Sequence, residues 1–191
     1  MEAKKIYAQA LTDEAFAPFG SVVQQKDDVK MVSANGGTAK KYLKVSESIQ
    51  NYEKSSSAST RKGVWNFFST HPSVHPANDE HAAFQISVLE RHPFTTQTFI
   101  PMCRSSDEQA YLIAVAPNAP DGMPDWNQTQ AFVAKGAQGV TYSAGVWHAP
   151  MVTIGKETML AAFNYENGVA EDDCQVQSTE SPIEVFIKIS T

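Results

Sequence analysis

The sequence predicts a mainly β protein whose short antiparallel strands form a sandwich or barrel. Three observations predict it. Segments rich in β-branched and aromatic residues recur along the chain, among them "VWNFFST", "TQTFIPM" and "AYLIAVAP". Glycine, proline or asparagine punctuates the gaps between them. No amphipathic helices alternate with the strands, which disfavours a parallel α/β sheet. The 191 residues suffice for one domain, 1–191, with its own core.

The elements follow in order. "LTDEAFAPFG" reads as a short helical turn, with Thr12 as N-cap and Pro18 to Gly20 as the stop. "SVVQQ" is a strand. Asn35-Gly36-Gly37 make a turn, and a further strand lies near Tyr42 to Val45. "NYEKSSSASTRKG" is polar and serine-rich, an exposed loop. "VWNFFST" is a strand between Gly63 and Pro72. "HPSVHPANDEH" holds two prolines and three histidines and predicts no regular structure. "FQISVLERH" alternates, with Phe84, Ile86 and Val88 on one face and Gln85, Ser87 and Leu89 on the other. After "TQTFIPM" and "AYLIAVAP" come a proline-rich crossing, "NAPDGMPDWNQT", and the strands "QAFVAKG", "GVTYS", "HAPMVTIG", "TMLAAFNYENG" and "IEVFIKI".

The formal charge of -6 argues against nucleic acid and anionic membrane, which both call for a basic face. It leaves room for an anionic small molecule, since a few local cations suffice. No apolar run reaches the roughly 18 residues of a membrane span. The start lacks an apolar secretory core. With only Cys103 and Cys174 in the chain, free thiols in a reducing, cytoplasmic compartment are expected.

Two segments carry more chemistry than packing needs. "ERHPFTTQTFIPM" puts Glu90, Arg91 and His92 in a row before a strand. There Thr96, Thr98 and Ile100 share one face and Thr95, Gln97 and Phe99 the other. "GAQGVTYSAGVWHAPM" is punctuated by Gly136, Gly139 and Gly145, as tight corners or close approach of a ligand require. It sets Trp147 and His148 just before Pro150.

These two segments, with "LTDEAFAPFG", "ANGGTAKKY", "YLIAVAP" and "AAFNYENGV", resemble the ureidoglycolate lyase family over nearly the whole chain, the last two its fungal branch. The resemblance implies a cupin-like antiparallel β-barrel (a double-stranded β-helix or jelly roll), a homodimer, and cleavage of ureidoglycolate to glyoxylate and urea. The chain departs from the family where Phe68 and Ser69 stand in the places of an arginine and the proline after it, and where Ser143 and Ala149 stand in for histidines common in bacterial members.

The reaction needs one general base and one general acid, each typically worth about 10²–10⁴-fold. His148 is the first candidate for the base, with an imidazole suited to proton transfer near neutrality; His92 is the next. Tyr142 could protonate the leaving nitrogen. Arg91, or Lys40 or Lys41, could hold the substrate carboxylate. Gln97 both donates and accepts and suits the ureido group. Glu90 could orient His92 or pair with Arg91, and Trp147 stands beside the substrate. His71, His75 and His81 lack paired ligand spacing and read as structural or surface residues. No H-x-H pair occurs, so no metal ligand set is assigned and no cofactor is expected. A divalent metal would have to be assembled from scattered residues such as His92 and His148. Two other functions remain open: an amidohydrolase releasing ammonia and carbon dioxide from the same substrate, and a non-enzymatic binder of a small acid.

Overall fold

The computed structural model describes residues 4–57, 61–78 and 80–188. Residues 58–60 of the expected serine-rich loop, and Asp79 of the histidine–proline segment, lie outside the described residues. The strands are β1 (Lys5–Tyr7), β2 (Gln9–Ala10), β3 (Gly20–Val23), β4 (Met31–Ala34), β5 (Ala39–Tyr42), β6 (Lys62–Thr70), β7 (His75–Pro76) and β8 (His81–Arg91). They continue with β9 (Gln97–Met102), β10 (Gln109–Ala116), β11 (Gln130–Lys135), β12 (Gly139–Tyr142), β13 (Trp147–His148), β14 (Val152–Thr153), β15 (Thr158–Glu166) and β16 (Gln175–Lys188). Two one-turn helices, α1 (Asp13–Phe16) and α2 (Ala170–Asp173), interrupt them. Thr12 caps α1 as expected, its hydroxyl accepting from the Ala15 amide at 3.2 Å.

The larger sheet runs β1-β16-β8-β13-β10-β11-β2, with β7 beside β8 and β14 beside β10. Its two ends are the consecutive strands β1 and β2. β1 pairs with β16 and β2 with β11, so residues 5–10 bend the sheet round on itself into a nearly closed barrel. Closure removes the unpaired edges that would otherwise invite association. Both of these pairings are parallel, a departure from the purely antiparallel expectation. The physical reason is that one short segment has to pair at both ends of the sheet, and no hairpin leads into either pairing.

A second sheet, β3-β12-β9-β15-β6, is antiparallel throughout. It packs against the first through Val22, Phe99, Val140, Tyr142, Leu160 and Ala162, which meet Tyr111, Ile113, Val115 and Phe132. The opposite face of the large sheet buries Leu89, Leu112, Ala114, Trp147, Val185 and Ile187. β4 and β5 form a two-stranded sheet of their own.

Three expectations need correction. The strand after the Asn35–Gly37 turn is Ala39–Tyr42, and it ends before Lys44, whose φ is +55°. The histidine–proline segment does contribute a strand, β7, because His75 and Pro76 find partners in Ala83 and Ala82. Ile86 and Leu89 share one core although strict alternation separates them. Opposite them β16 shifts register between Ser178 and Ile183, which breaks the two-residue period.

Candidate active site

The two motifs meet where β8 ends. His148 pairs with Glu90 across β13 and β8, and the Gly145 amide donates to the His92 carbonyl at 2.8 Å. Gly145 has a φ of +78°, a conformation glycine adopts without steric cost, and its turn carries the chain back to Trp147 and His148. Successive strand residues point to opposite faces. Glu90, His92 and His148 therefore face the second sheet, while Arg91 and Trp147 face away from it.

On the inner side the three side chains converge. One ligand atom from each lies within 4.8 Å of the others. His148 Nε2 is 3.6 Å from Glu90 Oε1 and 3.1 Å from Gln97 Oε1, and its Nδ1–H donates to the Val146 carbonyl at 3.0 Å. The Tyr142 ring stacks on the His148 ring, with centroids 4.0 Å apart and planes 10° from parallel. His92 Nδ1–H donates to the Asp173 carbonyl at 2.5 Å. Its Nε2 is buried and makes no hydrogen bond of good geometry among the described residues, with the Gln97 side chain close enough to act on the ring. His148 is only 1% exposed and His92 7%, while the Glu90 side chain, at 25%, marks the open side. A cleft of about 290 Å³, lined by Ser87, Val88, Ala149, Pro150 and Met151 among others, lies beside the neighbouring residues of the same two segments and does not include the three site side chains.

The electrostatics follow from this geometry. Burial lowers the pKa of His92, and the neighbouring His148 lowers it further, so the ring is held neutral. For Glu90, burial pushes upward, but the hydrogen bond to His148 and the electrostatic pull of the two neighbouring imidazoles, His148 ahead of His92, outweigh it, and the carboxyl sits below its usual value. Among the described residues, no lysine or arginine hydrogen-bonds to any of the three. Burial raises the Tyr142 phenol well above its ordinary value, and the hydroxyl turns toward Met151 Sδ at 3.7 Å. That makes it a weak proton donor.

The remaining predicted residues lie elsewhere. Arg91 Nε donates to Gln175 Oε1 at 2.8 Å, and its Nη1 donates to Asn118 Oδ1 at 2.7 Å and to the Gly122 carbonyl at 2.8 Å. Its guanidinium carbon sits 4.5 Å from the centre of the Trp147 ring. Glu90 pairs with His148 rather than with Arg91. Lys40 and Lys41 are exposed on β5. His71 pairs with Glu157, and His81 packs edge-on against Tyr7. Of the departures from the family pattern, Ser143 is exposed and Ala149 is buried.

The sequence reading passed over Asn164 and Asn66. Thr158, Leu160, Ala162 and Asn164 form the buried face of β15. Asn164 pairs in register with Gln97, and Asn66 Nδ2 lies 3.4 Å from Asn164 Oδ1. A row of amides thus runs from the open edge of the sheet to His148. The signal was present in "TMLAAFNYE", where a polar residue closes an otherwise apolar alternate face.

Chemically, this is a partly buried carboxylate between two imidazoles, one with a free lone pair, flanked by amides. It can take a proton at one point and deliver one at another. The free Nε2 of His92, the second imidazole and the carboxylate also form a donor set that a divalent transition metal would accept. No H-x-H pair was needed to build it, because Glu90 and His92 already share one face of a strand.

Known proteins resemble this chain closely. The model of one protein family, described as Ureidoglycolate lyase, matches residues 3–186. The ureidoglycolate lyase of Saccharomyces cerevisiae (strain ATCC 204508 / S288c) is 38% identical over 166 residues, covering 81% of this chain and 82% of the relative. That of Burkholderia mallei (strain NCTC 10229) is 31% identical over 153 residues, covering 80% and 78%. Ureidoglycolate lyase 1 of Rhizobium meliloti (strain 1021) is 33% identical over 150 residues, covering 77% and 74%. With the family matched across nearly its whole length and its two signature segments joined in one buried acid–base cluster, the chain belongs to the ureidoglycolate lyase family.

Proposed function

We propose that the protein cleaves ureidoglycolate to glyoxylate and urea by general acid–base elimination at Glu90, His92 and His148. The observation that carries this reading is the buried, unpartnered Nε2 of His92 beside Glu90 and His148. The central carbon of the substrate bears a hydroxyl, a carboxylate and a ureido nitrogen. His92 Nε2 takes the hydroxyl proton. The oxygen electrons then form the carbonyl of glyoxylate as the carbon–nitrogen bond breaks. His148, its Nε2 facing two oxygen acceptors, suits the delivery of a proton to the departing nitrogen. Glu90 balances the positive charge on the imidazoles. Gln97, Asn164 and Asn66 supply hydrogen bonds to the ureido and carboxylate groups. Compared with the assignment read from the motif alone, the base moves from His148 to His92, and Tyr142 becomes the platform on which His148 rests.

A second reading is favoured by the same three donors. A divalent ion held by Glu90, His92 and His148 would supply a positive charge for the substrate carboxylate. Incubation with ureidoglycolate, with and without a chelator, tests both readings. Intact urea and glyoxylate formed in equal amounts support the lyase. Ammonia in place of urea would indicate the amidohydrolase, and binding without turnover a non-enzymatic binder.

We further propose that the protein is a homodimer working in the cytoplasm. Trp65 and Phe67 are 66% and 59% exposed on the outer face of β6, where Trp65 packs against Phe163. β6 is an edge strand with a free side. Such an apolar face on an open edge suits a second copy of the chain. The free cysteines Cys103 and Cys174 suit a reducing compartment, and among the described residues no helix is long and apolar enough to cross a membrane.

A further inference from the structure

His92 can act as a base only in the tautomer that keeps its proton on Nδ1 and leaves Nε2 bare. What selects that tautomer is the acceptor facing Nδ1, the backbone carbonyl of Asp173. A carbonyl at the end of a single helical turn does not hold a direction by itself. Here the side chain of the same residue fixes it. Asp173 Oδ1 accepts from the Tyr52 hydroxyl at 2.6 Å and from the Asn167 amide at 2.8 Å, and Oδ2 accepts from the Gly168 amide at 2.8 Å. The segment from Asn167 to Asp173 is thereby folded onto one carboxylate.

Tyr52 ties this turn to the loop after β8 that carries His92. Its side chain is fully buried, and its ring packs against Phe94, 6.0 Å between centroids. The Asn51 amide donates to the Phe94 carbonyl at 2.8 Å. The Tyr52 hydroxyl is also 2.9 Å from the Tyr165 carbonyl. Burial and the hydrogen bond to Asp173 raise its pKa, so the phenol keeps its proton and remains a donor.

We infer that Tyr52 and Asp173 are positioning residues that set the tautomer and ring orientation of His92. The inference rests on the assignment of the chemistry to His92, and the test separates the two. It uses the full chain carrying Tyr52→Phe, Asp173→Ala or His92→Gln. The ring nitrogens of His92 are observed by ¹⁵N–¹H correlation NMR, its signals assigned by their loss in His92→Gln. The unsubstituted protein should show Nδ1–H and a bare Nε2. Tyr52→Phe and Asp173→Ala should each convert part of the population to the Nε2–H form. Their kcat should fall on the order of tenfold to a hundredfold while KM moves less than about twofold, as expected when a reacting group is misaligned. Should Asp173→Ala fail to fold, Tyr52→Phe carries the test alone. An unchanged tautomer in a folded variant overturns the inference, whether or not kcat falls. If His92→Gln keeps full activity, the assignment of the base has failed, and the NMR result still judges the positioning by itself.

Discussion

Arg91→Lys separates a substrate clamp from a structural staple. As a clamp, the guanidinium would hold the substrate carboxylate bidentately. In the structure its Nε and Nη1 donors are spent on Gln175, Asn118 and Gly122, and its guanidinium carbon lies over the Trp147 ring. These contacts join β8 to β16 and to the loop before β11, on the reverse side of the strand that presents Glu90 and His92. Lysine keeps the charge, but its compact ammonium lacks the planar fork that reaches these separated acceptors together. Two hydrogen bonds lost at about 0.5–1.5 kcal/mol each, with part of a cation–π contact of about 0.5–1 kcal/mol, give roughly 2–3 kcal/mol. For a chain of this size that is a fall in Tm of about 4–12 °C. Differential scanning fluorimetry should show that fall, and initial-rate kinetics on ureidoglycolate should show KM within about twofold of the unsubstituted protein. Loss of a bidentate carboxylate contact would instead raise KM by about thirtyfold or more with little change in Tm. That second pattern would refute the staple and return Arg91 to the substrate.

His92→Gln should lower kcat by at least about a hundredfold with Tm nearly unchanged, measured by steady-state kinetics beside a melting curve. Activity should persist below the ordinary histidine value of about 6.5 and fall as pH drops through the lowered pKa of His92; a profile breaking above neutrality would contradict this. The same shift acts on stability. Below about 6.5 the unfolded chain binds a proton that the folded ring refuses, so stability should decline with falling pH in that window, as urea denaturation at several pH values would show. Activity should survive exhaustive chelation if side chains alone carry the elimination. Loss on chelation, with recovery by one divalent cation, would assign Glu90, His92 and His148 to an ion. Trp65→Ser combined with Phe67→Ser should leave a species near 20.9 kDa in sedimentation, where the unsubstituted protein gives about twice that mass.

Much of the fold was legible because strand formation is local. Alternating β-branched and aromatic residues in "TQTFIPM" and "TMLAAFNYE" specify a pleated, half-buried surface wherever they occur. Thr12 announces α1 because a cap needs only its own next three residues. The sequence was silent on β1 and β2, which are short and carry no period of their own. They exist because the ends of the large sheet need a partner. The long start of β16, "QVQSTES", was equally hidden, since its polar residues become a strand only against Val88 to Arg91.

The sequence by itself determined the chemistry available: a carboxylate and two imidazoles in two segments specific to one family, with Gln97 between them. Only the tertiary structure decided how they are used. Which face of β9 turns inward depends on a second sheet that no local period encodes, and that choice brought Gln97 to His148 and added Asn164 and Asn66. The adjacency of Glu90, Arg91 and His92 suggested one site, but the pleat of the strand sends Arg91 to the other side. The free lone pair of His92 depends on Asp173, 81 positions away along the chain. A tautomer is fixed by the partner across the hydrogen bond, and that partner is set by folding, not by sequence neighbours.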